Sequence, residues 1–152
     1  MKVLENEDQF IKGVWAGLIS GIVMFVFVET FRWLGLTKYG VSYLGGETVF
    51  TFKNNFGMNL IAFIIHSGVG VFWGIIFAFF FTKVFSSKYY ILKSIFGGFC
   101  IFFFHLGFLD ELFHYTRKIH EQTGDLLIIL CGYIIYGIIV AVSLKKQGII
   151  SK

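Results

Sequence analysis

The chain has 152 residues, of which 57% are hydrophobic and 14% charged, with a formal net charge of +4. A soluble domain averages about 45–50% apolar and about 25% charged residues, so this composition excludes a water-soluble globular core. The basic excess does not point to nucleic acid, because the lysines and arginines stand at the ends of apolar runs and form no stripe along a face.

Taken in chain order, the first ten residues carry Glu5, Glu7 and Asp8 where a secretory signal needs a basic region, so the first apolar run is expected to be a retained helix. That run, Gly13–Phe31, is the first of four long enough to cross a hydrocarbon core that needs about 20 helical residues. It carries Gly13, Gly17 and Gly21 at four-residue spacing, a flat stripe for close helix contact. Glu29 near its end is expected either to snorkel and pair with Arg32, three residues on, or to join a polar site. The connection Arg32–Phe56 places Tyr39, Tyr43, Phe50, Phe52 and Phe56 around Gly45-Gly46, which reads as a turn in an aromatic segment lying in the membrane interface.

The second run, Gly57–Thr82, has a stripe of Gly70, Gly74 and Ala78, with His66 four residues before it on the same face. His66 falls about 13–15 Å along the helix from one end, near mid-membrane, where an imidazole needs partners in the protein. Ala62 lies outside the Gly70–Ala78 stretch and is expected to tolerate substitution better than Gly17 or Gly74. The turn Lys83–Tyr90 offers Ser86 or Ser87 as a cap for the third helix. The third run, Ile91–Leu109, contains Gly97-Gly98, Cys100 and His105. Cys100, and Cys131 in the fourth run, sit among apolar residues as small hydrophobes, which leaves the redox compartment open.

The polar segment Asp110–Gly124 is expected to prolong the third helix and to break at Gly124. Its Glu111-x-x-His114 resembles half of a carboxylate-bridged metal motif, but the second Glu-x-x-His and further glutamates are lacking, so no metal is expected. The fourth run, Leu126–Leu144, has Gly132, Gly137 and Ala141, and Asp125 before it reads as a helix N-cap. No G-x-S-x-G, H-E-x-x-H or phosphate-cradling Gly-Lys loop occurs, so neither a catalytic site nor a cofactor is expected.

The fold expected is therefore all-α: one domain, a bundle of four transmembrane helices. Lys2, Lys12, Lys83, Lys88, Lys93, Lys145, Lys146 and Lys152 fall on one side and Arg32, Lys38, Lys53, Arg117 and Lys118 on the other. Eight against five predicts both termini in the cytoplasm. All four histidines and six of the nine acids then lie in the outer half or outside. His66, His105, Glu29 and Asp125 become the candidate polar site, because ionisable groups within spans mark function by default. Gly13, Gly17, Gly21, Gly70, Gly74 and Gly137 become the packing positions.

The stretches KGVWAGLISGIVM, HSGVGVFWGIIFA and ILCGYIIYGIIVA resemble, in the same order, those of small multipass bacterial membrane proteins of the YqhR and YagU type. The likeness covers most of the chain through glycines and apolar residues, while Asp110–Gly124 departs from it. It implies a bacterial inner-membrane protein without an established reaction, and singles out Gly17, Gly21, His66, Gly70, Gly74, Tyr136 and Gly137. Two functional expectations follow from the residues. One is a bundle that handles protons, ions or a small ligand through His66 and His105 with Glu29 or Asp125. The other is an accessory subunit whose glycine faces bind a second copy or another membrane protein.

Overall fold

The computed structural model describes residues 2–47, 55–113, 117–120 and 122–150, and all regular structure among them is helical. The helices are α1 (Lys2–Trp33), α2 (Val41–Glu47), α3 (Phe56–Lys83), α4 (Tyr90–Phe103), a π-helical segment (Phe104–Leu109), α5 (Asp110–Phe113), α6 (Arg117–His120) and α7 (Thr123–Lys146). Four stretches are long and apolar enough to span a membrane: Asp8–Trp33, Phe56–Lys83, Tyr90–Leu112 and Thr123–Lys146. The chain is an integral membrane bundle of four transmembrane helices, and an even number of crossings brings its two ends to one side.

The spans do not pack in sequence order. α1 lies between α3 and α7, and α4 lies on the far side of α7, so the order across the bundle is α3, α1, α7, α4. The glycine stripes explain both tight seams. A Cβ on Gly17 would come within 2.9 Å of the Val71 Cα, and one on Gly74 within 2.5 Å of the Gly17 nitrogen. Without side chains there, the α1 and α3 backbones touch, and van der Waals contact over that length is what associates apolar helices in lipid. Gly98 meets the Tyr133 backbone, and Gly137 meets that of Ser94, which makes the α4–α7 seam in the same way. Gly132 turns instead toward Met24 and Val28 of α1.

Large apolar residues face outward all round, among them Phe72 (58% exposed), Phe96 (69%) and Phe103 (63%). Such a surface would aggregate in water and suits a surround of acyl chains.

Several expectations are corrected at the connections. The segment after α1 is not simply interfacial: Val41–Gly46 are buried, and α2 packs against α3. Gly45 and Gly46 are helical rather than a turn, because a Cβ on Gly45 would press to 2.9 Å from the Ala62 carbonyl oxygen. Phe50 and Phe52 lie outside the described residues. Ala62 is fully buried and so is no tolerant position. Neither Ser86 nor Ser87 caps α4; its N-cap is Tyr89, in the left-handed region at φ 57°, and Ser86 accepts hydrogen bonds from Lys93 instead. The third span is not one regular α-helix, since it widens to π at Phe104–Leu109 before α5 continues it. Gly124 does not break the chain: it is the second residue of α7, whose N-cap is Gln122.

Candidate functional site

Because α3 and α4 are not neighbours in the row, they meet through side chains. Phe77 of α3 fills the space over Gly97, and nearer the α2 end Trp73 packs edge-on against Phe104, with ring centroids 5.7 Å apart. Between these two spans lies a cavity of about 210 Å³. Met24 of α1 and Tyr133 and Tyr136 of α7 form its back, and Leu44 and Gly45 of α2 cover one end. On its open flank His66, Val69, Trp73, His105 and Leu109 are all partly exposed, so the cavity is a cleft that opens sideways between α3 and the third span.

His66 and His105 both line this cleft. The Nε2 of His66 is 3.2 Å from the Gly21 carbonyl oxygen on α1. A carbonyl only accepts, so Nε2 bears the proton and donates. His105 stands between two partners: the Trp73 Nε1 donates to its Nε2 at 3.2 Å, and its Nδ1 is 2.7 Å from the Tyr133 hydroxyl. An indole N–H only donates, so Nε2 is the bare nitrogen of His105 and Nδ1–H donates to Tyr133. The two histidines thus carry their protons on opposite nitrogens. Tyr136 donates to the Gly70 carbonyl at 2.6 Å, tying α7 across to α3.

Ile101, His105 and Leu109, at four-residue spacing along the third span, all line the cavity, the last two within its π-helical stretch.

Glu29 and Asp125 are placed elsewhere and do different work. Glu29 is fully buried; it pairs with Arg32, and its other oxygen accepts from the Ser42 amide at 2.8 Å, in the first turn of α2. It pairs as expected but does not snorkel. Asp125 does not cap its own helix. Its two oxygens accept from the amides of Lys38 at 3.0 Å and Tyr39 at 2.9 Å, 87 and 86 residues away. The two carboxylates therefore fasten the segment before and into α2 to the bundle, so that α2 covers the cleft. Neither lines the cavity.

Among the described residues no group of three or more His, Cys, Asp or Glu is placed to hold a metal ion. Glu111 is exposed, and His114 and Glu121 lie outside the described residues. Asp110 instead meets the His120 Nε2 at 3.0 Å, closing the connection from α5 to α6.

Trp73 and Tyr133 are cleft residues that sequence reasoning passed over, and Tyr136 was singled out only by the family resemblance, not as a site member. A signal existed for each: Trp73 stands seven residues after His66 on the same face, and Tyr133 and Tyr136 are three apart on theirs. Comparison of the chain with protein-family models, with characterised proteins and with solved structures returns no match.

Proposed function

We propose that this membrane protein binds a small, largely apolar molecule in the cleft between α3 and the third span, taking it up sideways from the bilayer. The observation that carries the reading is the cleft itself: two histidines held by fixed partners in an otherwise aromatic and aliphatic wall that opens toward lipid. Apolar pockets with a few placed polar groups are the usual form of small-molecule sites. Size supports it as well. An apolar cavity of about 150 Å³ admits benzene, so about 210 Å³ suits a single ring with short substituents or a short length of chain.

Two alternatives are less well supported. An ion path needs polar lining beyond the cleft, whereas Phe77 and Phe81 fill the space below it and the carboxylates are engaged at α2. An accessory subunit docking through its glycine faces would need those faces exposed, but Gly13, Gly17, Gly70 and Gly74 are covered within the chain. By the bias of basic residues, the cleft and α2 belong to the outer half of a cell membrane with both termini cytoplasmic.

The test is saturable binding of a small aromatic hydrocarbon, ethylbenzene, to the full chain in lipid nanodiscs, followed by Trp fluorescence and thermal stability. Ethylbenzene should raise the melting temperature in the wild type, and Val69→Trp, which fills the cleft, should abolish the effect. A wild type indifferent to ethylbenzene and to related small aromatics would remove the reading.

A further inference from the structure

We infer that the cleft selects molecules bearing a hydrogen-bond donor, a hydroxyl on an apolar body such as a lipophilic phenol, and that the Nδ1 of His66 accepts that donor. The inference rests on the binding role proposed above and adds the chemical class of the ligand.

It follows from an inventory of the polar groups on the cleft wall. The donors are engaged: the His66 Nε2–H on the Gly21 carbonyl, the Trp73 indole on His105, the His105 Nδ1–H on Tyr133, and the Tyr136 hydroxyl on the Gly70 carbonyl. Tyr133 is engaged with His105, and its ring is held at 5.7 Å from the imidazole. A ligand whose only polar group is an acceptor, such as a ketone or an ether, would have to break one of these bonds or compete for the Tyr133 hydroxyl hydrogen, on an oxygen already held by His105. His66 is different. With its proton fixed on Nε2 by the Gly21 carbonyl, the neutral ring presents Nδ1 as a lone-pair acceptor. No group among the described residues donates to it, and no acidic side chain lines the cleft to hold the ring as an imidazolium. The walls around it are apolar, so a ligand hydroxyl gains more from that bond than it would in water. The polar half of the ligand is thereby placed beside α3, and the apolar half against Val69, Ile101 and Leu109.

Three probes of matched shape separate the possibilities: 4-ethylphenol, 4-ethylanisole and 4-ethyltoluene. Each is titrated into the full chain in nanodiscs, with dissociation constants referred to the concentration in the lipid. The phenol should bind about tenfold more tightly than the other two, the discrimination of one buried hydrogen bond. It should also shift the His66 Nδ1 resonance in nitrogen-15 spectra of the histidine rings, while the ether and hydrocarbon leave it unmoved. His66→Leu should lose the preference for the phenol. Equal binding of all three would overturn the inference and leave the apolar cleft standing as a site. Absence of binding by all three would overturn both. A phenol preference without movement of the His66 resonance would place the acceptor elsewhere and overturn the assignment, and this spectroscopic result does not depend on the variant folding.

Discussion

At the scale of single residues, the two buried carboxylates show what a charge inside a span can be for besides chemistry. Glu29 is surrounded by Arg32, the Ser42 amide and the close-packed Gly40, so its charge is compensated where it lies. Glu29→Ala would leave a partly buried guanidinium and an amide without their acceptor, a loss of about 3–5 kcal/mol in this setting. Because the contacts are to α2, the expected effect is local: faster hydrogen exchange at the Ser42–Gly46 amides, with exchange in the four spans little changed. Uniform loosening of all spans would show that Glu29 holds the bundle rather than α2. Asp125→Asn keeps one acceptor and loses the other, so a milder loosening, about 1 kcal/mol, is expected at Lys38 and Tyr39 by the same measurement. Trp73→Phe removes the indole donor that holds Nε2 of His105 bare, and nitrogen-15 spectra should show that ring change from one tautomer to a mixture. The Glu29–Arg32 pair was legible in the sequence because residues three apart share a helix face. The partners of Asp125 were not, since an acid before a helix reads equally well as a cap and nothing local names a loop 86 residues away.

At the scale of elements, the stripes of small residues were the most readable feature, because in lipid close backbone approach needs them at four-residue spacing. Their effect can be measured against a control on the same helix. Gly68 of α3 has nothing within 4 Å of a built Cβ, whereas Gly74 meets the α1 backbone and Gly17 meets that of α3. Gly17→Ala and Gly74→Ala should each destabilise the protein by about 1–3 kcal/mol through overpacking. Gly68→Ala should be neutral or slightly stabilising, since alanine is the better helix former. Thermal unfolding in detergent checks this, and equal losses in all three variants would mean that the stripes are not the seam. Ala62 cannot serve as such a control: it continues the four-residue series of His66, Gly70, Gly74 and Ala78, and it is the floor on which α2 sits. That α2 is a helix at all was not legible. Its seven residues are too few to be helical alone, and its shape depends on the Glu29 carboxylate at its first turn and on the α3 surface beneath. The π-helical segment left no sequence signal either, because its apolar residues fit an α-helix equally well.

At the scale of the whole molecule, four spans were evident from run length and charge, but their lateral order was not. Adjacent spans in sequence usually pair, and here α3 and α4 part to make the cleft while α1 and α7 hold the centre. The cleft is thus a property of the assembled order, which is why its histidines could be nominated from sequence while their aromatic partners were missed. Orientation then decides which leaflet feeds the cleft, since α2, Glu29, Asp125 and the two histidines belong to the half of the bundle away from the termini. Eight basic residues on the terminal side against five on the other predict that this half is outermost. The weight of that bias rests on the short connection holding Lys83 and Lys88 and on the Lys145-Lys146 pair that closes α7, since short loops and span ends are where the rule operates. Gly45 is a poor reporter because it is buried where α2 meets α3, so the probes belong at Lys38 and Lys88, both exposed. In a background with Cys100 and Cys131 replaced by alanine, Lys38→Cys should react with a membrane-impermeant maleimide in intact cells, and Lys88→Cys only after lysis. The reverse pattern would place the cleft in the inner leaflet, and the molecule it takes up would then be drawn from the cytoplasmic face of the membrane.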